Sequence, residues 1–516
     1  MNRHSIGSGT GRPRARMPAW VPGRLLLTLR LGEVPEHVPG LRAVVGYGTD
    51  KAEHIDGGVI DRLLRHHGGA FRVTRLHSAR KRRIERPVPG ARRFDDVEQI
   101  SGVARVLRIE VRDPAGVPAL LQTLAEVPVV ERVCLDHLCR GPFAVAADAD
   151  TDRADLERVD PRTVADPRWA RELLRLPEAL AYEPGDPATV IGLADTGVAL
   201  EHEELHARLR AGFDSVDLDP ELVGGLTLVG DYRERGEQPQ DEVGHGTGCA
   251  GILSAQGRGI PPGGAGACGL TPVRVLGAAL GPGDRRFGVG ALDNIDAGMK
   301  RLIDLNVKVV NMSFGTPESA LAGDAPRPHE EVIRYALARG VILVAASGNS
   351  GLEERYYPAA HDGVIAVGAV GRDLQPASFS TRGRHVSVCA PGREILTCGL
   401  HGYQNATGTS FAAPFVAAVC ALLASRAQRR AWPLDSEETR ELLVESARPF
   451  GRAGVTGCGR GVVDAMAALR LLDRRIDRDL AEASAGEDAT GTPEAGHTGE
   501  RPPQHFPESG ADRVAA

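Results

Sequence analysis

The sequence predicts an α/β fold: a mostly parallel sheet with helices on both faces, preceded by a small α+β unit of ferredoxin-like order. Three observations carry this. Short apolar runs, "ATVIGLAD", "VKVVNMSF", "GVILVAAS", "GVIAVGAV" and "VSVCAPG", recur between residues 188 and 392, and strands apolar on both faces belong to buried parallel sheets. These runs alternate with helix-forming ones, the pattern of helices layered on both sides of a sheet. Ahead of them, residues 22–140 read strand, helix, strand, strand, helix, strand, the order of a split βαβ unit.

Each N-terminal element has its own reason. "RLLLTLRL" (24–31) is a strand-length apolar run, and "GGVIDRLLRHHGG" (57–69) is a short helix closed by glycines. "FRVTRLHS" (71–78) and "VARVLRIEVRD" (103–113) alternate apolar and polar residues, as half-buried strands do. "AGVPALLQTLAEVP" (115–128) has helical spacing at Leu120, Leu121 and Leu124, and "VVERVCLDHL" (129–138) supplies the last strand. The domain reading is then a disordered N-terminus (1–21), the α+β unit (22–140), an Asp- and Ala-rich linker (141–166), the α/β domain (167–470) and a disordered acidic tail (471–516). From 481 onward there are seven acids against two arginines, a composition that cannot bury a core.

Bulk properties exclude several function classes. The 516 residues carry a net charge of -6, which gives no global attraction to nucleic acid or anionic membrane. Residues 72–93 hold nine Lys/Arg and one acid, but no aromatic interleaves for base stacking, so this reads as a solvated loop. No nucleic-acid or membrane partner is expected. The longest apolar run, Phe411 to Ala424, is 14 residues, which suits a buried core helix and is too short to cross a bilayer. The eight cysteines show no CxxC spacing, so neither zinc nor a disulfide framework is indicated. Reduced thiols and the lack of a secretory signal after the basic N-terminus lead to a cytoplasmic expectation. Oligomeric state is left open.

Four stretches place polar residues at the ends of apolar runs. Asp195 closes "VIGLAD", His245 lies between two glycines in "DEVGHGTGCAGILSA", Asn349 ends "VILVAASGN", and Ser410 opens the run in "NATGTSFAAPFVAAVC". Singly, each has a plain structural reading: a turn Asp, a helix-start His, a turn Asn, an N-cap Ser. Together, an Asp, a His and a Ser supply the parts of nucleophilic acyl transfer. A serine oxygen needs a base to activate it, and the base needs an acid to fix its tautomer. Asn349 and the Ser410 backbone N–H can serve as oxyanion donors. In open parallel sheets such groups gather beyond the carboxyl ends of the strands.

At these residues the chain resembles the subtilisin-like serine proteases, the subtilases. "ADTG" with Asp195, "GHGTGCAG" with His245, "AASGN" with Asn349 and "GTSFAAP" with Ser410 come in the family's order. "VVNMSFG", "PVRVLG" and "GCGRGVVDAMAAL" resemble further family segments. The resemblance covers roughly 167–470. It implies a serine endopeptidase with Ser410 as nucleophile, His245 as base, Asp195 as its orienting acid and Asn349 as oxyanion donor. A protein or peptide substrate would add as a strand along Ser313, Phe314 and Gly315. Ala346, Ser347 and Gly348 would wall the primary specificity pocket, their small size leaving room for a sizeable side chain. No cofactor is implied. Calcium, common in the family, has only Glu204 at an expected ligand position. Gly248 stands where most relatives carry a second His. The α+β unit ahead of the domain resembles the family's propeptide in order and position. The competing reading is a catalytically silent subtilase-fold scaffold that binds peptides.

Overall fold

The computed structural model describes residues 19–32, 35–80, 93–141, 156–221, 223, 226–232, 238–281, 285–321 and 325–490. Residues 1–18 of the expected disordered N-terminus and 81–92 of the basic loop lie outside these residues, whereas Trp20 and Val21, expected to be disordered, belong to the first strand, where pairing with the neighbouring strand orders them.

The N-terminal unit runs β1 (Trp20–Leu29), α1 (Leu41–Tyr47), α2 (Val59–Gly68), β2 (Phe71–Arg75), α3 (Asp96–Ser101), β3 (Val106–Val111), α4 (Val117–Ala125) and β4 (Val130–Arg140). Its strands pair antiparallel in the order β2-β3-β1-β4, the ferredoxin-like arrangement. Two short helices, α1 and α3, add to the expected elements. A capping box at the start of α3 holds it: Asp95 accepts from the Glu98 N–H and Glu98 from the Asp95 N–H, at 2.9 and 2.8 Å. Helices α2 and α4 bury Ile60, Leu64, Leu120 and Leu124 against Leu25, Leu27, Leu107 and Ile109. Each such side chain contributes about 1.5–3 kcal/mol of transfer free energy.

The larger region continues with β5 (Leu156–Val159), α5 (Trp169–Leu173), α6 (Leu176–Tyr182), β6 (Val190–Asp195), β7 (Phe213–Asp214), β8 (Thr227–Val229) and α7 (His245–Ser254). Next come β9 (Gly269–Arg274), β10 (Gly277–Leu280), β11 (Arg286–Ala291), α8 (Leu292–Asp304), β12 (Val309–Met312), β13 (Thr316–Pro317), α9 (Glu330–Ala338) and β14 (Ile342–Ala346). The chain ends with β15 (Tyr356–Tyr357), β16 (Val364–Val370), β17 (Val386–Pro391), β18 (Ile395–Cys398), β19 (Tyr403–Ala406), α10 (Thr409–Arg429), α11 (Ser436–Ser446) and α12 (Ala465–Thr490). Seven strands form a parallel sheet in the order β17-β16-β14-β12-β6-β9-β7. All five strand runs expected from sequence are in it. Helices α8 and α9 cover one face through Val310, Met312, Leu343, Ala345 and Ala366, and α10 packs on β12, β14, β16 and β17. Helix α10 is long and apolar enough to cross a membrane, yet 94% of its most apolar window is buried inside the protein. It is the core helix the sequence led us to expect.

Strand β4 does not end the N-terminal sheet. It pairs antiparallel with β11, Leu138 opposite Ala291, Cys139 opposite Gly290 and Arg140 opposite Val289, giving one sheet β2-β3-β1-β4-β11-β10-β8. Buried charges cross the same boundary. Arg24 lies 3.3 Å from Asp136 and 3.4 Å from Asp293, and Lys300 lies 2.6 Å from Glu98. Two expectations are corrected. Part of the linker 141–166 is a strand, β5, paired with β19 in the sheet β18-β19-β5; an unfilled strand edge supplies the hydrogen bonds that its polar sequence does not advertise. The tail expected to be disordered from 471 continues as helix α12 to Thr490, anchored by buried Leu469 and Leu472.

Candidate active site

Strand ends and helix starts set the site. Asp195 is the last residue of β6, and its Oδ1 accepts from the His245 Nδ1 at 2.7 Å. His245 is the first residue of α7. Burial opposes a charge on its ring, but Asp195, and Asp241 more weakly, outweigh burial and raise its pKa. Ser410 sits in the first turn of α10, whose N-cap is Gly408. It is therefore not the cap that one reading of the sequence made it. Its Oγ and the His245 Nε2 are both buried with no hydrogen-bond partner among the described residues. Asn349 follows β14, and its Oδ1 accepts from both the N–H and the Oγ1 of Thr409, at 2.9 and 2.8 Å. That fixes the orientation of the amide, with Nδ2 as its donor end. The Ser410 N–H belongs to a helical first turn, where N–H groups have no intrahelical acceptor.

Asp241, which sequence reasoning missed, holds this corner together. Its fully buried carboxylate accepts from Thr196 Oγ1 and the N–H groups of Val243 and Gly244 on one oxygen, and from Thr247 N–H and Oγ1 on the other, at 2.6–3.0 Å. Thr196 Oγ1 in turn accepts from the Gly246 N–H at 2.9 Å. The signal was present: an acid four residues before the His, in "DEVGH". Gly248, the departure from the family, has a steric reason. A Cβ there would meet the Gln404 Nε2 at 2.7 Å and the Phe411 ring at 3.0 Å. Gln404 uses that nitrogen to donate to the Gly244 carbonyl at 2.8 Å, so Gln404 occupies the space a larger side chain would need.

Ser313, Phe314 and Gly315, the segment expected to pair with substrate, follow β12 and lead into β13. Ser313 donates its Oγ to the Ser410 carbonyl at 3.0 Å, and Cys249 approaches the same carbonyl at 3.3 Å. Phe314 is fully buried, its ring 5.6 Å from that of His329. These side chains pack against the site, and the backbone of the segment faces a strand of the chain itself. It is already engaged: Gly315 N–H donates to the Arg140 carbonyl at 3.2 Å, and Gly141 N–H donates to the Gly288 carbonyl at 3.0 Å. On the facing side, Ala346 ends β14, Ser347 Oγ donates to the Thr381 carbonyl at 3.1 Å, and Gly348 N–H donates to Thr409 Oγ1 at 3.2 Å. The room expected between these walls is not there. The Tyr356 ring lies between them, where a Cβ on Gly315 would meet it at 2.6 Å and one on Gly348 at 3.0 Å, a correction that follows from a side chain supplied by β15.

The residues at Glu204 do not suit calcium. Its oxygens accept from the N–H groups of Gly257, Arg258, Gly259 and Ile260 at 2.5–3.3 Å. Burial works against its charge, but these donors outweigh it and lower its pKa. A carboxylate ringed by N–H dipoles offers a cation no coordination shell of six to eight oxygens.

The fold, with Asp195 bonded to His245 and Ser410 in the first turn of α10, is that of a subtilase. The Subtilase family model matches residues 186–474, and the chain belongs to that family of serine-type endopeptidases. It is 32% identical to thermitase of Thermoactinomyces vulgaris over 266 residues, covering 50% of this chain and 82% of thermitase. It is 34% identical to subtilisin BL of Lederbergia lenta over 288 residues, covering 54% of this chain and 90% of that protein. Against the thermophilic serine proteinase of Bacillus sp. strain AK1 the identity is 32%, over 59% of that relative's length. A solved protease structure from Pseudoalteromonas arctica matches with a TM-score of 0.50 at 27% identity, over 61% of this chain and 98% of its own.

Proposed function

We propose that this chain hydrolyses peptide bonds through an acyl-enzyme on Ser410, and that its N-terminal unit fills the cleft until it is cut away. The observation that carries the first part is the 2.7 Å bond from His245 Nδ1 to Asp195, with the other ring nitrogen and the Ser410 oxygen buried and unpartnered among the described residues. Asp195 holds the tautomer that leaves Nε2 as the base. Ser410 Oγ attacks the carbonyl carbon as its proton passes to His245 Nε2. The resulting oxyanion takes hydrogen bonds from Asn349 and the Ser410 N–H. The C–N bond then breaks and the amine leaves with the proton from His245. Water repeats the sequence on the ester: His245 takes its proton, its oxygen bonds to the acyl carbon, and the Ser410 oxygen leaves reprotonated.

The second part is supported by β4. Its end bonds to Gly315 and Gly288 as an added strand, the way extended peptides bind a sheet edge. The chain leaves this edge at Gly141 and its next described residue is Leu156, in β5 beside β19. Protein or peptide substrates would compete for the edge that β4 holds. All eight cysteines are free and buried, which supports a cytoplasmic setting where thiols stay reduced. The test is a time course of intact mass and casein hydrolysis for the purified full chain and Ser410→Ala. We expect wild type to lose a fragment ending between residues 141 and 156 as activity appears, with the variant intact and inactive. Equal processing in both, or equal casein hydrolysis, would refute the reading.

A further inference from the structure

We infer that Tyr356 is the specificity-determining residue of this protease: its ring occupies the space between the two substrate walls, so the enzyme cuts after residues with alanine- or serine-sized side chains. This deepens the protease reading above and rests on it. The walls are the backbone of Ser313–Gly315 on one side and Ala346–Gly348 on the other. A Cβ on Gly315 would meet Tyr356 Cε1 at 2.6 Å and Cδ1 at 2.7 Å. A Cβ on Gly348 would meet Cδ2 at 3.0 Å and Cγ at 3.1 Å of the same ring. The two edges of one phenol therefore face the two wall glycines, and both glycines are the residue that lets a ring come so close.

The ring is held there. Tyr356 and Tyr357 form β15, which pairs with Thr316 and Pro317 of β13, directly after Gly315. Gly348 has φ +106, a conformation that strains any other residue, so the second wall cannot retreat by substitution. Burial, with Cys139 and Glu354 nearby, pushes the phenol pKa up; the group stays neutral and takes up space without adding charge.

A side chain entering from the substrate must share this slot with a six-membered ring. A methyl or hydroxymethyl group fits beside it, whereas a phenyl or isobutyl group requires the ring to leave. The chain's own segment agrees in composition. Residues 142–155, between the last residue of the β4 edge and β5, hold five alanines and one aromatic, so a preference for small residues lets the protein cut itself there.

The test uses two internally quenched peptides, identical except for Ala or Phe before the single bond cut, with the cut mapped by mass. Full-length wild type, Tyr356→Val and Tyr356→Gly are each incubated to completion of processing, and fluorophosphonate labelling is measured on the same samples. Wild type is expected to favour the Ala peptide by about 100-fold in kcat/KM, the scale at which a filled pocket rejects a larger group. The ratio should fall about tenfold in Tyr356→Val and vanish or reverse in Tyr356→Gly, through kcat/KM for the Phe peptide. A general loss of structure would lower both peptides together and leave the ratio alone. The inference is overturned if labelled wild type cuts both peptides equally, or if labelled variants keep the wild-type ratio. If wild type neither labels nor cuts, the protease reading falls and this inference with it.

Discussion

At the residue scale, the proposed mechanism makes the His245 ring the chemical centre, and the ring's environment makes a prediction about pH. Only the neutral ring can accept the Ser410 proton, so kcat/KM must fall as pH drops through its pKa. Because Asp195 outweighs burial and raises that pKa, the acid limb should lie above about 6.5, the ordinary histidine value. Asp195→Asn should move the limb to lower pH and reduce kcat by about 10,000-fold, since the ring loses both its tautomer and its counter-charge. Asn349→Ala should lower kcat by about 100- to 1,000-fold with little change in KM, the loss typical of removing one oxyanion donor. Asp241→Ala strands five donors in a closed interior and should cost about 2–4 kcal/mol in urea unfolding, besides slowing turnover by freeing the His245 loop. The Asp195–His245 pair that the structure joins, and the segments of Asn349 and Ser410 that it joins through Thr409, were legible because each stands in a short contiguous motif. Asp241 and Tyr356 were not. Asp241 reads as any loop acid until its five donors are seen, and Tyr356 acts on residues 41 and 8 positions away, at Gly315 and Gly348.

At the scale of elements, β4 links the two parts of the molecule, and the charges beside it report on that link. Burial and Asp293 push the Asp136 carboxyl up to about 7, against the pull of Arg24. A raised carboxyl pKa costs stability that is absent below the unfolded value near 3.9 and complete above the folded one. Stability should therefore decline between about pH 4 and 7 through this group. Arg24→Met removes the cation between Asp136 and Asp293. It should deepen that decline and cost about 3–5 kcal/mol near neutral pH, the scale of breaking a buried pair by removing one partner. Chemical denaturation at several pH values checks both statements. The sequence revealed strands whose apolar spacing reflects what they bury, such as β6, β12, β14 and β16. It did not reveal β5, which exists because β19 offers an edge, nor that β4 also pairs with β11.

At the scale of the whole molecule, the parallel sheet and its helices bring Asp195 to His245 and Asn349 to Thr409, beside Ser410, and the N-terminal sheet extends through β4 to Gly315 and β11. At Glu204 the carboxylate is satisfied by four backbone N–H groups. Excess chelator should accordingly leave the melting temperature unchanged at this loop's contribution, whereas Glu204→Ala should destabilise the protein by about 2–4 kcal/mol. A melting temperature that falls on chelation and recovers specifically with calcium would contradict that account.

The central claim, that Ser410 is an activated nucleophile, is tested most directly by fluorophosphonate labelling of the processed protein, with the adduct mapped to its peptide by mass. The account predicts one adduct, on Ser410, lost in Ser410→Ala and slowed strongly in His245→Ala. Labelling that persists in Ser410→Ala, or a folded and processed wild type that takes no label, would contradict it.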